Sequence, residues 1–250
     1  MNPIIKTDEY EITQDPKNKT LFTIAFTSET TRSEMTVKNT STNTSTSALL
    51  KSLVKPSIIL GATIYDNYKS MSFKAHSIKT LNQYKTDLTS AKSVPNFSYL
   101  SSLKLVYYLT KQISYLIEEE SQCFYQFTPE NIIVIDNSKF IYLSLNHLKK
   151  IIDGTELVKF VSPFDRDGFV SPELLAIKSV PSNINYRTIY YSLGLLIMDC
   201  LFDYLREEID IKDITNDNNN IILNPIKETQ LFYLIKRCLH KDPASRVIHF

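Results

Sequence analysis

Short apolar stretches broken by polar turns fill the first 75 residues and predict β structure there. Residues 10–13 and 21–26 lie on either side of the turn-forming residues 15–18 (Asp-Pro-Lys-Asn), which is typical of a hairpin. Further strands are predicted at residues 34–38, 58–65 and 70–73. A Thr/Ser/Asn tract at 39–47 predicts a flexible connection, and the apolar spacing of 48–54 predicts a short helix.

Beyond residue 95 the apolar positions follow the 3.6-residue period of amphipathic helices. Helices are predicted at residues 98–120, 189–205 and 226–239. The second of these is apolar almost all round, which is typical of a helix buried in a large core. Short strands are predicted at 132–135 and 140–143, and a surface loop at the asparagine-rich stretch 213–220. The pattern therefore predicts an α+β fold, β-rich over 1–75 and mainly helical over 76–250.

Composition excludes several classes of function. Lys and Arg number 28 against 27 Asp and Glu, and this balance argues against a nucleic-acid binder, which carries a basic excess. The longest apolar run is too short to span a bilayer and contains Asp199, and the N-terminal residues lack the pattern of a signal peptide. Three scattered cysteines and four histidines show no disulfide or metal-ligand spacing. We therefore expect a cytoplasmic protein without a bound metal.

Glycine is rare, and its positions matter for phosphate binding. The chain has four glycines, none of them in the first sixty residues. A glycine-rich phosphate loop near the N-terminus is therefore excluded, because such loops bring the backbone closer to phosphate than a Cβ allows. Asp165 and Asp167 stand beside Gly168, but the calcium-loop pattern is absent, and a solvated turn is the simpler interpretation.

Four segments resemble, in order, the motifs of a protein kinase domain. Residues 124–131 (Phe-Tyr-Gln-Phe-Thr-Pro-Glu-Asn) resemble the catalytic loop His-Arg-Asp-Leu-Lys-Pro-x-Asn. Residues 170–175 resemble the Ala-Pro-Glu end of the activation segment, and residues 191–195 the start of the central helix of the large lobe. Residues 238–246 resemble the closing Leu-x-x-Asp-Pro-x-x-Arg. The resemblance is clear from residue 98 to residue 246 and schematic before that.

The resemblance implies a two-lobed protein-kinase-like fold. Residues 1–75 would form the small β-rich N-lobe, and residues 76–250 the larger helical C-lobe. The last helix of the family's large lobe would be missing, since the printed sequence stops directly after the closing motif. Two explanations of the missing helix stay open: the large lobe is reduced, or the sequence is the leading module of a longer protein.

The same alignment implies that the catalytic groups are lost. The catalytic Asp corresponds to Gln126, whose neutral amide accepts no proton near neutral pH. The catalytic-loop Lys corresponds to Thr128, and the metal-binding Asp to Ser144. Asn131, the family's other metal ligand, is retained. Lys38 is the candidate for the phosphate-holding strand lysine, although an exposed strand lysine is the simpler interpretation.

Other positions are expected to be structural: Phe124, Pro129, Leu145, Glu173, Ile189, Gly194 and Arg246. Phe124 and Ile189 replace the catalytic-loop His and the buried Asp of the central helix, which converts the support of the loop to apolar packing. Leu145 replaces the Phe of the metal-binding motif. Glu173 and Arg246 correspond to a pair that stabilises the family's large lobe, and Gly194 is expected where two helices pack closely.

These expectations together predict a pseudokinase, an inactive protein-kinase-like domain that serves as a protein-binding, scaffold or regulatory module without a cofactor. The alternative is an atypical active nucleotide-dependent phosphotransferase built on Asn131, Lys38, Asp165 and Asp167. A third possibility is a domain that stabilises its neighbours in a longer chain. Protein partners are expected. The lysine excess over residues 35–117 leaves docking of an acidic partner or an anionic membrane open, beside the simpler interpretation of a solvated face.

Overall fold

The structure, a computed structural model, describes residues 3–27, 38–65, 67–90, 97–202, 222–246 and 248, with the backbone alone for residues 38–43. Over these ranges the chain is mixed α+β, with several small antiparallel sheets, as the sequence pattern predicts. The predicted surface loop at 213–220 lies outside the described residues.

A five-stranded antiparallel sheet forms the N-terminal part. Its strands are β1 (Pro3–Lys6), β2 (Tyr10–Gln14), β3 (Leu21–Phe26), β4 (Thr63–Tyr65) and β5 (Ser70–Lys74). They follow the order β1-β2-β3-β5-β4. The predicted hairpin is confirmed as β2 and β3, with Tyr10 opposite Phe26. The strand predicted over 58–65 is too long, because only its last three residues pair with β5.

Helix α1 (Lys38–Val54) corrects two predictions. The Thr/Ser/Asn tract at 39–47 is helical rather than a flexible connection, and Lys38 begins a helix rather than ending a strand. Residues 34–37 of that predicted strand lie outside the described residues. Threonine, serine and asparagine favour helices weakly, but packing of an apolar face outweighs such propensities. Leu49, Leu50 and Leu53 supply that face and are fully buried.

The remainder is mainly helical, with three small sheets. The helices are α2 (Leu81–Ser90), α3 (Tyr99–Glu120), α4 (Pro172–Leu175), α5 (Thr188–Leu201) and α6 (Gln230–Cys238). The strands are β6 (Ile78–Thr80), β7 (Gln122–Phe124), β8 (Ile132–Ile135), β9 (Lys139–Tyr142), β10 (Leu148–Lys150), β11 (Leu157–Phe160) and β12 (Ser182–Asn185). They pair as β6-β8-β9, β7-β10 and β11-β12.

The three long helical predictions and the β8–β9 hairpin are confirmed in type, with shifted ends. Helix α6 starts later than predicted because the Thr229 side chain accepts the Phe232 N–H and caps it there. Helix α5 is described as far as Leu201, and residues 203–205 of its predicted span lie outside the described residues. Helices α2 and α4 and six of the short strands (β1, β6, β7, β10, β11 and β12) were not predicted.

The apolar core of the described residues forms three clusters. Two of them combine residues from the first 75 positions with residues from the rest of the chain. One cluster joins the five-stranded sheet to Leu50 and Leu53 of α1, and it also takes in Ile133 and Ile141 of the β8–β9 hairpin. The largest cluster lies among α3, α5 and α6 and includes Leu49 of α1. Helix α1 therefore packs against both, and the hairpin fixes the N-terminal sheet to the rest of the chain.

Helix α5 runs through the largest cluster and is buried along nearly its whole length. Its Asp199, 2% exposed, pairs with Lys85 of α2 at 3.2 Å, which compensates the charge that the sequence places in an apolar run. None of the helices in the described ranges combines the length and the apolar character needed to cross a bilayer.

Candidate functional site

A pocket of about 620 Å³ lies in front of the loop that resembles a catalytic loop. Four segments surround it. They are the turn between β1 and β2, the loop after β7, the segment between β9 and β10, and residues 163–167. The predicted residues Thr128, Asn131, Asp165 and Asp167 line this one pocket, whereas Gln126 and Ser144 do not.

Glu9 closes one side of the pocket with three hydrogen bonds. Its carboxylate accepts the Ser144 hydroxyl at 2.9 Å, the Asn146 backbone N–H at 3.0 Å, and the Leu145 backbone N–H. The turn that carries Glu9 is held by Thr7, whose hydroxyl oxygen accepts the Glu9 backbone N–H at 3.2 Å. The segment aligned with the metal-binding motif therefore does meet a carboxylate, but one from the turn between β1 and β2, which accepts three hydrogen bonds from this segment.

Gln126 belongs to the core and not to the pocket. The side chain is 0% exposed, and its Nε2 lies 3.1 Å from His147 Nε2. Its Oε1 has no hydrogen-bond partner among the described residues. The side chain that the resemblance aligns with the catalytic Asp is thus buried in the protein interior beside a histidine.

A buried chain of hydrogen bonds continues from His147. Since Gln126 Nε2 donates to His147 Nε2, the proton of the imidazole lies on Nδ1, which contacts the Tyr142 hydroxyl. Tyr142 in turn contacts Thr128 Oγ1 at 3.3 Å, and Asn131 Nδ2 donates to the same Oγ1 at 3.1 Å. Burial lowers the pKa of His147 to about 4 and raises the pKa of Tyr142, so both groups are neutral near neutral pH.

The sequence reasoning missed the roles of Ser192 and Gly168, which both contact the backbone of Phe127 in the loop after β7. The backbone N–H of Phe127 donates to the Ser192 hydroxyl at 2.7 Å, and the Phe169 N–H donates to the Phe127 carbonyl at 2.9 Å. A Cβ on Gly168 would lie 2.4 Å from that carbonyl oxygen. Gly168 is therefore required by a close approach of two backbones and is not part of a solvated turn, although Asp165 and Asp167 beside it are exposed. A lone serine in the apolar run of α5 was the available signal for Ser192.

The positions expected to be structural are mostly buried. Phe124 and Ile189 are fully buried, and Phe124 packs edge-on against Tyr142 with ring centroids 4.9 Å apart. Leu145 is half-buried and packs against the largest cluster. Pro129 is the first residue of a short 3-10 turn over Pro129–Asn131, where its missing N–H costs nothing. Apolar groups thus support the loop.

Glu173 of α4 and Arg246 form an ion pair outside the pocket lining. Arg246 is 0% exposed and contacts both carboxylate oxygens of Glu173, one of them at 3.1 Å. Its remaining donors reach the His240 and Lys241 carbonyls at 2.7 and 3.1 Å. Gly194 lies where α5 meets α6, since an added Cβ would stand 2.8 Å from Cys238 Cβ. Both contacts hold α4, α5 and α6 together.

The electrostatics of the pocket do not suit a phosphate ligand. Four carboxylates line it, from Glu9, Glu130, Asp165 and Asp167, against the single cation of Lys149. Strand β3, which precedes α1, contains no lysine, and Lys38 begins the helix instead. Among the described residues no group of His, Cys, Asp and Glu side chains has the geometry of a metal site.

No family model matches the chain, and a search of curated proteins finds no similar sequence.

Proposed function

We propose that the chain is a pseudokinase, a catalytically inactive protein-kinase-like domain that acts as a protein-binding or scaffold module in the cytoplasm. In this proposal residues 1–75 correspond to a small N-lobe and residues 76–250 to a large C-lobe. The order of elements supports it, because a five-stranded sheet with one long helix precedes the helical part. The four motif-like segments fall in the loop after β7, at α4, in α5 and directly after α6.

The observation that carries the proposal is the contact of Glu9 with residues 144–146. An active member of the family would hold metal and phosphate at this segment. Here the backbone N–H groups of Leu145 and Asn146 and the Ser144 hydroxyl all donate hydrogen bonds to a carboxylate of the protein itself. Gln126, turned into the core against His147, supports the same conclusion, because no base faces the pocket at that position.

Nucleotide binding separates this proposal from an active enzyme. Thermal melting of the purified chain is measured with and without ATP, in the presence of Mg²⁺ or Mn²⁺. A ligand at a hundredfold excess over its dissociation constant adds about 2.7 kcal/mol of stability, which raises the melting temperature by a few degrees. We expect no shift. A metal-dependent shift contradicts the proposal.

The alternative, an atypical phosphotransferase, has one observation in its favour. Asn131, Asp165 and Asp167 line the same pocket, so an amide and two carboxylates face one space. Lys38, its candidate phosphate ligand, lies at the first residue of α1 rather than in a strand. A metal-dependent melting shift followed by transfer of phosphate from ATP to an acceptor protein would establish it in place of the pseudokinase proposal.

A further inference from the structure

The rim of the 620 Å³ pocket carries unneutralised negative charge. The carboxylates of Glu130, Asp165 and Asp167 are exposed and form no ion pair with any cation in the described part of the chain. Their hydrogen bonds are to neutral groups. Asp165 Oδ1 accepts the Asp167 N–H at 3.1 Å, and Glu130 Oε1 accepts the Asn82 amide at 3.2 Å. A cationic ligand would therefore meet carboxylates that still have free acceptor capacity.

Aromatic rings form the wall behind these carboxylates. Tyr125 lines the pocket and is 2% exposed, with its ring edge-on to Phe160 and Phe164 at centroid distances of 5.2 and 5.6 Å. Its hydroxyl makes no hydrogen bond to any residue that the structure describes. Burial raises the pKa of this hydroxyl, and the negative charges of Asp165 and Glu9 raise it further, so the hydroxyl lies within the field of the pocket's carboxylates.

Two cationic side chains of the protein itself lie over these aromatic rings. Lys149 Nζ lies 5.9 Å from the centroid of the Tyr125 ring, and the guanidinium carbon of Arg166 lies 5.2 Å from the centroid of Phe164. Distances below about 6 Å are those at which the negative face of an aromatic ring attracts a cation. The wall of the pocket thus has the geometry that ammonium and guanidinium groups favour.

We propose that this pocket binds an organic cation, with an ammonium or guanidinium group at Asp165 and Asp167 and its aliphatic stem along Tyr125 and Phe164. A free polyamine and a lysine or arginine side chain of a partner protein share this chemistry. A bare metal ion fits less well, since the described residues hold no ligand cluster for one. The inference does not depend on the inactivity proposed above, because a cation can bind whether or not a nucleotide does.

Isothermal titration calorimetry at low ionic strength tests the inference with two probes, spermidine and a tetra-arginine peptide. We expect saturable 1:1 binding of at least one probe, weakened by added NaCl because the attraction is screened. The double variant Asp165→Asn/Asp167→Asn should weaken binding about tenfold or more, because each lost charge removes a charge-assisted hydrogen bond. Asparagine keeps the Oδ1 acceptor, and both positions are exposed, so the fold should persist.

Two further variants make the test specific. Glu130→Gln removes a pocket charge from a different segment and should also weaken binding. Asp153→Asn makes the same charge change at an exposed turn outside the pocket, where the side chain is 82% exposed, and should leave binding unchanged. Circular dichroism of each variant reports whether it is folded.

The outcomes separate the sources of the cation and the two proposals. Binding of spermidine alone supports a free polyamine, and binding of the peptide alone supports a basic segment of a partner. No saturable binding of either probe, or equal weakening by Asp153→Asn, overturns the inference. A melting shift with ATP and metal would overturn the pseudokinase proposal while leaving the calorimetric result as it stands.

Discussion

The carboxylate of Glu9 accepts the backbone N–H of Leu145, a residue 136 positions further along the chain. Glu9 lies in the turn between the first two strands of the N-terminal sheet, and Leu145 follows β9 beside the pocket. The same carboxylate accepts two more donors from Ser144 and Asn146. Hydrogen bonds to an ionised carboxylate are about twice as strong as neutral ones. A single side chain therefore joins the N-terminal sheet to the segment that frames the pocket.

Replacing Glu9 should lower the stability of the chain. In Glu9→Ala three donors lose their acceptor, and we expect the free energy of unfolding to fall by about 1–3 kcal/mol, as measured by urea denaturation. Glu9→Gln should have a smaller effect, since its amide oxygen still accepts but the charge is gone. Asp8→Ala, in the same turn and exposed, is the matched control and should change little. Equal effects of Glu9→Ala and Asp8→Ala would show that the contact contributes no stability.

Removing Arg246 should be among the most destabilising changes in the chain. Arg246→Ala leaves the largely buried Glu173 carboxylate without its cation, and breaking a buried pair in this way costs about 3–5 kcal/mol. Arg246→Lys should recover only part of the loss, because one ammonium cannot contact two carboxylate oxygens and two carbonyls at once. Thermal melting measures both. Asp153→Ala, which breaks an exposed pair with Lys150, serves as control and should leave the melting temperature nearly unchanged.

Adding one methyl group at Gly168 should loosen the segment after the pocket. In Gly168→Ala the new Cβ conflicts with the Phe127 carbonyl, so the hydrogen bond from the Phe169 N–H must lengthen. Hydrogen exchange at the Phe169 amide should become faster, while exchange in the β8–β9 hairpin stays unchanged.

Gly154→Ala is the control for this substitution. A Cβ at Gly154 meets nothing within 4 Å, and its φ of +72° makes any effect a local backbone one. Exchange at Phe169 in Gly168→Ala that is as slow as in the unchanged chain would contradict this prediction, because the hydrogen bond to Phe127 would then be intact.

Sequence patterns located the elements whose signal is local. The long helix over α3 and the β8–β9 hairpin follow from apolar period and turn residues, and both are present. The Glu173–Arg246 contact was expected only because the two segments resemble protein kinase motifs. Helix α1 was missed over its first half because threonine, serine and asparagine carry little helical preference, and the buried leucines that hold it act from its second half.

Contacts between distant residues left no signal of this kind. Nothing in the neighbourhood of Glu9 predicts that it reaches residues 144–146, since a turn glutamate is usually solvated. Lys38 was assigned to a strand because the apolar residues before it suggested one, whereas its backbone begins helix α1. The replacement of catalytic groups is thus a prediction from the sequence alone, whereas the acidic lining of the pocket required the fold.

His147 should make the stability of the chain fall in acid. Burial holds the pKa of His147 near 4, below its ordinary value of 6.5, with Asp165 opposing that shift and Lys149 reinforcing it. Between these values the unfolded chain binds a proton that the folded chain does not, so the free energy of unfolding falls as the pH falls from 6.5 toward 4, by up to about 1 kcal/mol per pH unit. Protonation would also remove the acceptor that Gln126 Nε2 contacts.

Urea denaturation at pH 7 and pH 5 measures this loss of stability. His147→Gln should reduce the difference between the two pH values, whereas His76→Gln, at an exposed histidine, should retain it. The same pH dependence in His147→Gln as in the unchanged chain would assign it to other groups.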